Sequence, residues 1–237
     1  MFIYLKNTLL ILASTVLVYS CNNNSDVNEE NVDEYIDSEL SIDSSLVKKG
    51  VQKNLDYIIE NMYFSDDLIK TLSSQSNLYN EQLLIDLKKV SEFQTSKSKA
   101  VNMGIIGADL NYILHFGQTQ HSFKYLIGAK QLANQIGVAL AFDQKVLEQY
   151  QSNFQEKDSL INIVYTAYDN VRKYLRNGEQ FQVTTLVMAG SWVENMYLTT
   201  KQLPDFKDAD KKAKMCGIII KQDVYLNKII ELLANLN

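Results

Sequence analysis

Two carboxylates stand where carboxylates are costly. Asp109 lies in "VNMGIIGADLNYILHF" (101–116) and Glu194 in "VTTLVMAGSWVENMYL" (183–198), two segments that are apolar almost all round. A carboxylate left ionised and unpaired among apolar side chains costs several kcal/mol, so each acid must find donors or take up a proton. If the two segments pack together, the acids can face each other and share one proton. That arrangement separates their pKa values and suits acid/base work or a cation site. Tyr112 and Tyr197 each follow an acid by three residues, one helical turn on, where a hydroxyl can donate to it. The alternative is structural: each acid, satisfied locally, holds helices in register. Spacing alone leaves structural, ligand-binding and catalytic roles open, and no catalytic residue is assigned.

Other chemistry is poorly supplied. Trp192 is the single tryptophan and stands two residues before Glu194, about 200° away around a helix, so it is expected in the core rather than in the same pocket. The two histidines, His115 and His121, have no cysteine or glutamate at metal spacing, so neither metal nor cofactor is expected. "GIIG" is not a phosphate loop, and "AGSWV" is not a nucleophile elbow.

The segments that carry the acids must be helices. The chain has 237 residues with one proline and nine glycines, a composition that favours long helices. In "DSLINIVYTAYDNVRKYLRNG", Leu160, Ile161, Val164, Tyr168, Val171 and Leu175 recur at helical spacing, with Asp158 placed to cap one end and Gly178 the other. "DSSLVKKGVQKNLDYIIENM" repeats the pattern. Further helices are predicted near 66–73, 80–93, 99–116, 120–136, 143–153, 181–203, 206–216 and 222–235. "GIIIKQ" (217–222) is expected to connect two of them. The fold class is all-α, a helical bundle of about ten helices around the two apolar ones. Gly104, Gly107 and Ala108 in one central helix, and Ala189, Gly190 and Ser191 in the other, leave room for a neighbouring helix to come close.

The spacing also suggests duplication. Asp109 and Tyr112 lie 85 residues before Glu194 and Tyr197, and Gly137 and Asp143 lie 80 before Gly217 and Asp223. A glycine and an aspartate six apart read as a helix C-cap, a connector and the next N-cap. Two units, roughly 80–154 and 158–236, follow from these four matches, with coincidence as the competitor.

The N-terminus speaks of location. One basic residue, Lys6, precedes an apolar run of 11 residues, Thr8 to Val18, too short to span a bilayer, which takes about 20. The run ends in "VYSC", and this resembles the lipobox of bacterial lipoproteins. The resemblance implies removal of residues 1–20 and a lipid on Cys21. A plain secretory signal and an uncleaved anchor are the alternatives. Residues 22–43 then carry eight acids and no Lys or Arg. So polar and one-signed a stretch cannot bury enough surface to order itself. With Cys21 it makes an acidic tether over 21–43, spanning roughly 25 Å. Asn22, rather than aspartate, follows the cysteine, which points to the outer membrane over the inner one.

Subtracting Lys6 and the tether leaves 22 basic and 20 acidic residues in the helical domain 44–237. Near-neutral charge gives no nucleic-acid surface. With Cys21 committed to lipid, Cys216 has no disulfide partner and is expected as a small buried hydrophobe.

The acidic tether, the "GADL" helix with Tyr112, and the "GSW" helix with Glu194 and Tyr197 together resemble a group of all-helical lipoproteins of Bacteroidetes-type bacteria. The resemblance implies fold and location and brings no catalytic roles. The expected function is a lipid-anchored cell-envelope protein, a non-catalytic binding or interaction module with an envelope protein as partner. Two alternatives are a small-molecule or cation binder between the central helices, and an acid/base enzyme using Asp109 and Glu194. Sequence leaves the oligomeric state and the face of the membrane open.

Overall fold

The computed structural model describes residues 50, 53, 56, 63–75, 79–138, 144–177 and 181–235. The chain divides into two units, Met1–Val47 and Lys48–Asn237, and every described residue belongs to the second. The signal sequence, Cys21, the tether and most of the segment predicted as a helix over 44–62 lie outside the described residues, as does Asp143.

The described fold is all-helical. Its α-helices are α1 (Tyr63–Gln75), α2 (Ser96–His115), α3 (Thr119–Gln135), α4 (Gln144–Ser152), α5 (Lys157–Asn177), α6 (Phe181–Gln202), α7 (Ala209–Ile220) and α8 (Asp223–Ala234). None of them is long and apolar enough to cross a membrane.

Local chemistry sets the ends. Thr95 caps α2, its hydroxyl accepting from the Ser98 N–H at 3.0 Å. At the other end Gly117 takes φ +73°, and its N–H and that of Gln118 turn back onto the carbonyls of Leu114 and Ile113. This is a Schellman closure, which needs a residue free to adopt positive φ. Gly137 (φ +81°) closes α3, with the Val138 N–H on the Ala133 carbonyl. Asp208 caps α7 by accepting from Asp210 and Lys211.

Three expectations are corrected. The stretch predicted as a helix over 80–93 is instead two 3-10 turns, Glu81–Leu83 and Leu87–Glu92. Asn80 and Asp86 start them, each side chain accepting a backbone N–H two residues on at 3.0 Å. Short polar side chains compete in this way with the helical ladder, and Asp86 does so in mid-segment. Gly217 is not a C-cap but lies inside α7, with open space around it. Residues 217–220 are accordingly the last turn of α7 rather than a connection.

The core surrounds α2, of whose 20 residues thirteen are buried. Met103, Ile106, Leu110 and Ile113 of α2 pack with Leu68, Ile69 and Leu72 of α1, Leu126 and Leu132 of α3, Tyr150 of α4, Leu160 and Val164 of α5, and Leu198 of α6. A second, smaller cluster joins Met188 of α6 to Ile229 and Leu232 of α8, with Phe181, Ala189 and Trp192 against it. The largest helix contact is α2 on α6. Glycine permits it. A Cβ on Gly104 would lie 2.0 Å from the Val187 carbonyl oxygen, and one on Gly190 2.1 Å from that of Val101. The crossing is reciprocal, since each glycine faces the residue three before the other.

Candidate functional site

The α2–α6 contact brings Asp109 and Glu194 together. Asp109 is fully buried, and Glu194 retains 9% of its surface. Their carboxyls lie close enough that the charge of Glu194 opposes ionisation of Asp109, an arrangement that favours one proton held by the pair. Asp109 Oδ2 accepts the backbone N–H of Ile85 at 2.9 Å. Asp109 Oδ1 is buried and has no hydrogen-bond partner among the described residues.

Burial pushes Asp109 well above the usual carboxylate range. The charge of Glu194 raises it further, and the Ile85 N–H pulls the other way. Glu194 is also raised by burial, and Asp109 beside it restrains the rise. They titrate as a unit.

The two tyrosines expected to donate to the acids do neither. Tyr112 is buried, but its hydroxyl accepts from the Asn80 N–H at 2.9 Å and bonds the Gln202 side-chain amide. Tyr197 is 38% exposed and lies under the Lys201 ammonium, 5.7 Å from its ring centroid. The physical reason is helical phase: three residues on is one turn, yet α2 is covered on that side and α6 is not. Trp192 sits apart from the acids. Its indole N–H donates to Gln222 Oε1 at 3.2 Å, and its ring joins the cluster under α8.

Sequence reasoning missed the segment from Tyr79 to Asp86. It binds the acid pair through Ile85, whose carbonyl accepts from the Tyr125 hydroxyl at 3.0 Å. Tyr79 stacks on Tyr112 at 5.5 Å between centroids, and its hydroxyl bonds His121 Nδ1. His121 Nε2 lies 3.1 Å from Glu81, which also reaches Lys124 at 3.8 Å. Burial lowers His121, Lys124 lowers it further, and Glu81 opposes them. The ring thus stands between the Tyr79 hydroxyl, bonded at Nδ1, and the Glu81 carboxylate, which lies near Nε2 without a hydrogen bond to it. The signal was present in Asn80 and Asp86, two cap-forming residues six apart.

An open, mostly polar cleft of about 600 Å³ lies beside this segment, lined by Tyr79, Glu81, Gln118, Thr119, His121 and Lys124 among others. Neither Asp109 nor Glu194 lines it. His115 is buried at the end of α2. Burial holds it neutral, pushing its pKa down to about 4 with help from Lys157 and Lys70. Among the described residues no group of three or more His, Cys, Asp or Glu side chains is placed to hold a metal ion. Cys216 is a free, partly buried thiol.

Chemically, the acid pair can hold a proton in the core, and Asp109 is tied to the backbone of Ile85. In comparisons with known proteins, no family model, curated protein or solved structure matches the chain.

Proposed function

We propose that the chain is a lipid-anchored protein of the bacterial cell envelope whose helical domain is a non-catalytic interaction module. The observation that carries the non-catalytic part is the burial of Asp109. A general acid or base must reach its substrate within hydrogen-bonding distance, directly or through one water. Asp109 is fully buried, and the cleft nearby is lined by other residues. The pair's use as a cation site or as an acid/base centre draws no support from such a setting.

An exposed aliphatic stripe supports the interaction part. Leu226, Ile230 and Leu233 follow one another at i, i+4 and i+7 on α8, and Ile230 is 53% exposed. Contiguous apolar surface of this kind marks interaction sites. The anchor rests on "VYSC" and the acidic stretch after it. Two acyl chains hold a protein to a bilayer stably where one does not. The group of Bacteroidetes-type lipoproteins remains the resemblance that joins these features, with the outer membrane as the location.

We also read the domain as two related units, roughly 80–154 and 158–236. The reciprocal fit of Gly104 on Val187 and Gly190 on Val101 supports this, as does the pairing of Asp109 with Glu194. The position of Gly217 inside α7 removes one of the four original matches.

The test is lipid labelling. Cells expressing the chain are fed a clickable fatty acid, and membranes are separated from soluble protein. The expected result is label on the protein, sedimentation with membranes, and loss of both in Cys21→Ser. Unlabelled protein, or label that survives in Cys21→Ser, would overturn the anchor.

A further inference from the structure

His121, in the first turn of α3, has its two ring nitrogens in unlike settings. Nδ1 is bonded by the Tyr79 hydroxyl. Nε2 is buried and has no hydrogen-bond partner among the described residues, although Glu81 Oε1 lies 3.1 Å away. A carboxylate at that distance favours a proton on Nε2 over a lone pair, so a donor stands there unused. A buried donor without an acceptor is costly, and native folds rarely leave one.

Lys124, three residues further along α3, is a second donor. Its ammonium is 3.8 Å from the same Oε1, beyond the roughly 2.7–2.9 Å of a charge-assisted hydrogen bond. One oxygen of Glu81 thus sits near two donors and bonds neither. Its reach is set by the backbone of the short turn Glu81–Leu83, and its side chain is 65% exposed. An ion pair that exposed contributes little to stability, so Glu81 can turn out to solvent at small cost.

There is room for a replacement. Tyr79, Glu81, His121 and Lys124 line the open cleft of about 600 Å³, a volume within the range of small-molecule sites. Gln118, Thr119 and Gln120 add amide and hydroxyl groups to its wall, which suits a polar ligand. Thr119 and Gln120 also begin α3, where backbone N–H groups have no acceptor within the helix. With Glu81 turned away, Lys124 is the one fixed charge among the lining residues, since burial lowers His121 and keeps its ring neutral at pH 7. One positive charge matches a singly charged anion.

We propose that this cleft binds a small polar carboxylate, whose oxygens take the place of Glu81 against His121 and Lys124. A free carboxylate is not held by the backbone of the turn, so it can approach Nε2 and Nζ to bonding distance. Glu81 is the placeholder that such a ligand displaces. The site is separate from the acid pair, since neither Asp109 nor Glu194 lines the cleft.

The chain has two histidines, which makes the test direct. In the full chain labelled with a nitrogen isotope at the histidine rings, magnetic resonance of His121 reports the cleft. His115, buried at the end of α2, reports the fold. Sodium lactate is titrated against sodium chloride at equal ionic strength. The expected result is a saturable shift of the His121 Nε2 signal while His115 stays in place. Glu81→Gln removes the competing charge and should lower the half-saturating lactate concentration about tenfold. Lys124→Met should raise it about tenfold, the effect of one charge-assisted hydrogen bond. Both side chains are more than half exposed, so the variants should fold, with His115 as the check. Absence of a saturable His121 shift in both the wild type and Glu81→Gln would overturn the site. Equal affinity in those two chains would overturn the placeholder role of Glu81. Tighter binding of inorganic phosphate than of lactate would overturn the carboxylate assignment.

Discussion

Asp109 with Tyr112 and Glu194 with Tyr197 have the same spacing on crossing helices, yet their surroundings differ. On α2, Tyr112 is buried under Tyr79 and engaged by Asn80 and Gln202. On α6, Tyr197 faces solvent with Lys201 over its ring. The acids themselves meet at the crossing and are both buried. The comparison teaches that symmetry here belongs to the backbone crossing and the carboxyls. It stops one turn away, where the Tyr79–Asp86 segment covers Tyr112 of α2 and Tyr197 of α6 is left exposed.

The largest effects are expected where the two sides are equivalent. Gly104→Ala and Gly190→Ala each drive a methyl into a rigid carbonyl, and overpacking of this kind costs about 3 kcal/mol, above the roughly 1 kcal/mol that alanine gains in helix propensity. Denaturant unfolding should show similar losses for the two variants. A loss in only one would break the reciprocity.

Next comes the proton. Both acids have folded pKa values above their unfolded ones, so the folded chain retains protons that the unfolded chain releases. The resulting stability is fully present below about pH 4, the unfolded carboxylate range, and falls as pH rises towards the folded values. The slope is about 1.4 kcal/mol per pH unit per retained proton. Melting temperature should therefore drop from acid to alkaline pH in the wild type and flatten in Asp109→Asn and Glu194→Gln. Equal melting temperatures for all three across about pH 5–8 would remove the titrating pair.

The tyrosines sharpen the difference with smaller effects. Tyr112→Phe leaves the Asn80 N–H without its acceptor and should cost about 1–2 kcal/mol. Tyr197→Phe should change stability by less than about 0.5 kcal/mol, as exposed substitutions do. Comparable losses in thermal unfolding would show that the two sites are alike after all.

The helices and the two buried acids were legible in the sequence because each announces itself locally. Period 3.6 marks Leu160, Ile161 and Val164, and a charge inside an apolar run marks Asp109. The partners of Asp109 were not legible. A backbone N–H such as that of Ile85 has no residue identity to read. Tyr125 and Gln202 meet the site only through tertiary packing. Asn80 and Asp86 carried a cap signal, but a window rich in Leu, Ile and Lys reads as helix unless those caps are weighed against it. Gly217 was misread because a glycine six residues before an aspartate signals a C-cap, a connector and an N-cap, while a position in α7 with open space around it tolerates glycine at modest cost.

The reciprocal glycine crossing has a temporal consequence. Its halves lie far apart in the sequence, with Asp109 and Glu194 separated by 85 residues. Such a contact is slow to close. When the chain is made from its N-terminus, or threaded through a pore in that order, α2 emerges with its apolar faces bare and without the helix that covers them. It must wait for α3 to α5 and then α6 to follow. Until then Asp109 has no Glu194 with which to share its proton, and ionises as an ordinary aspartate. The acid is thus least damaging while the chain is incomplete: a charge in the middle of an exposed apolar segment keeps that segment in water and away from its own kind. It becomes part of the core only when its counterpart arrives.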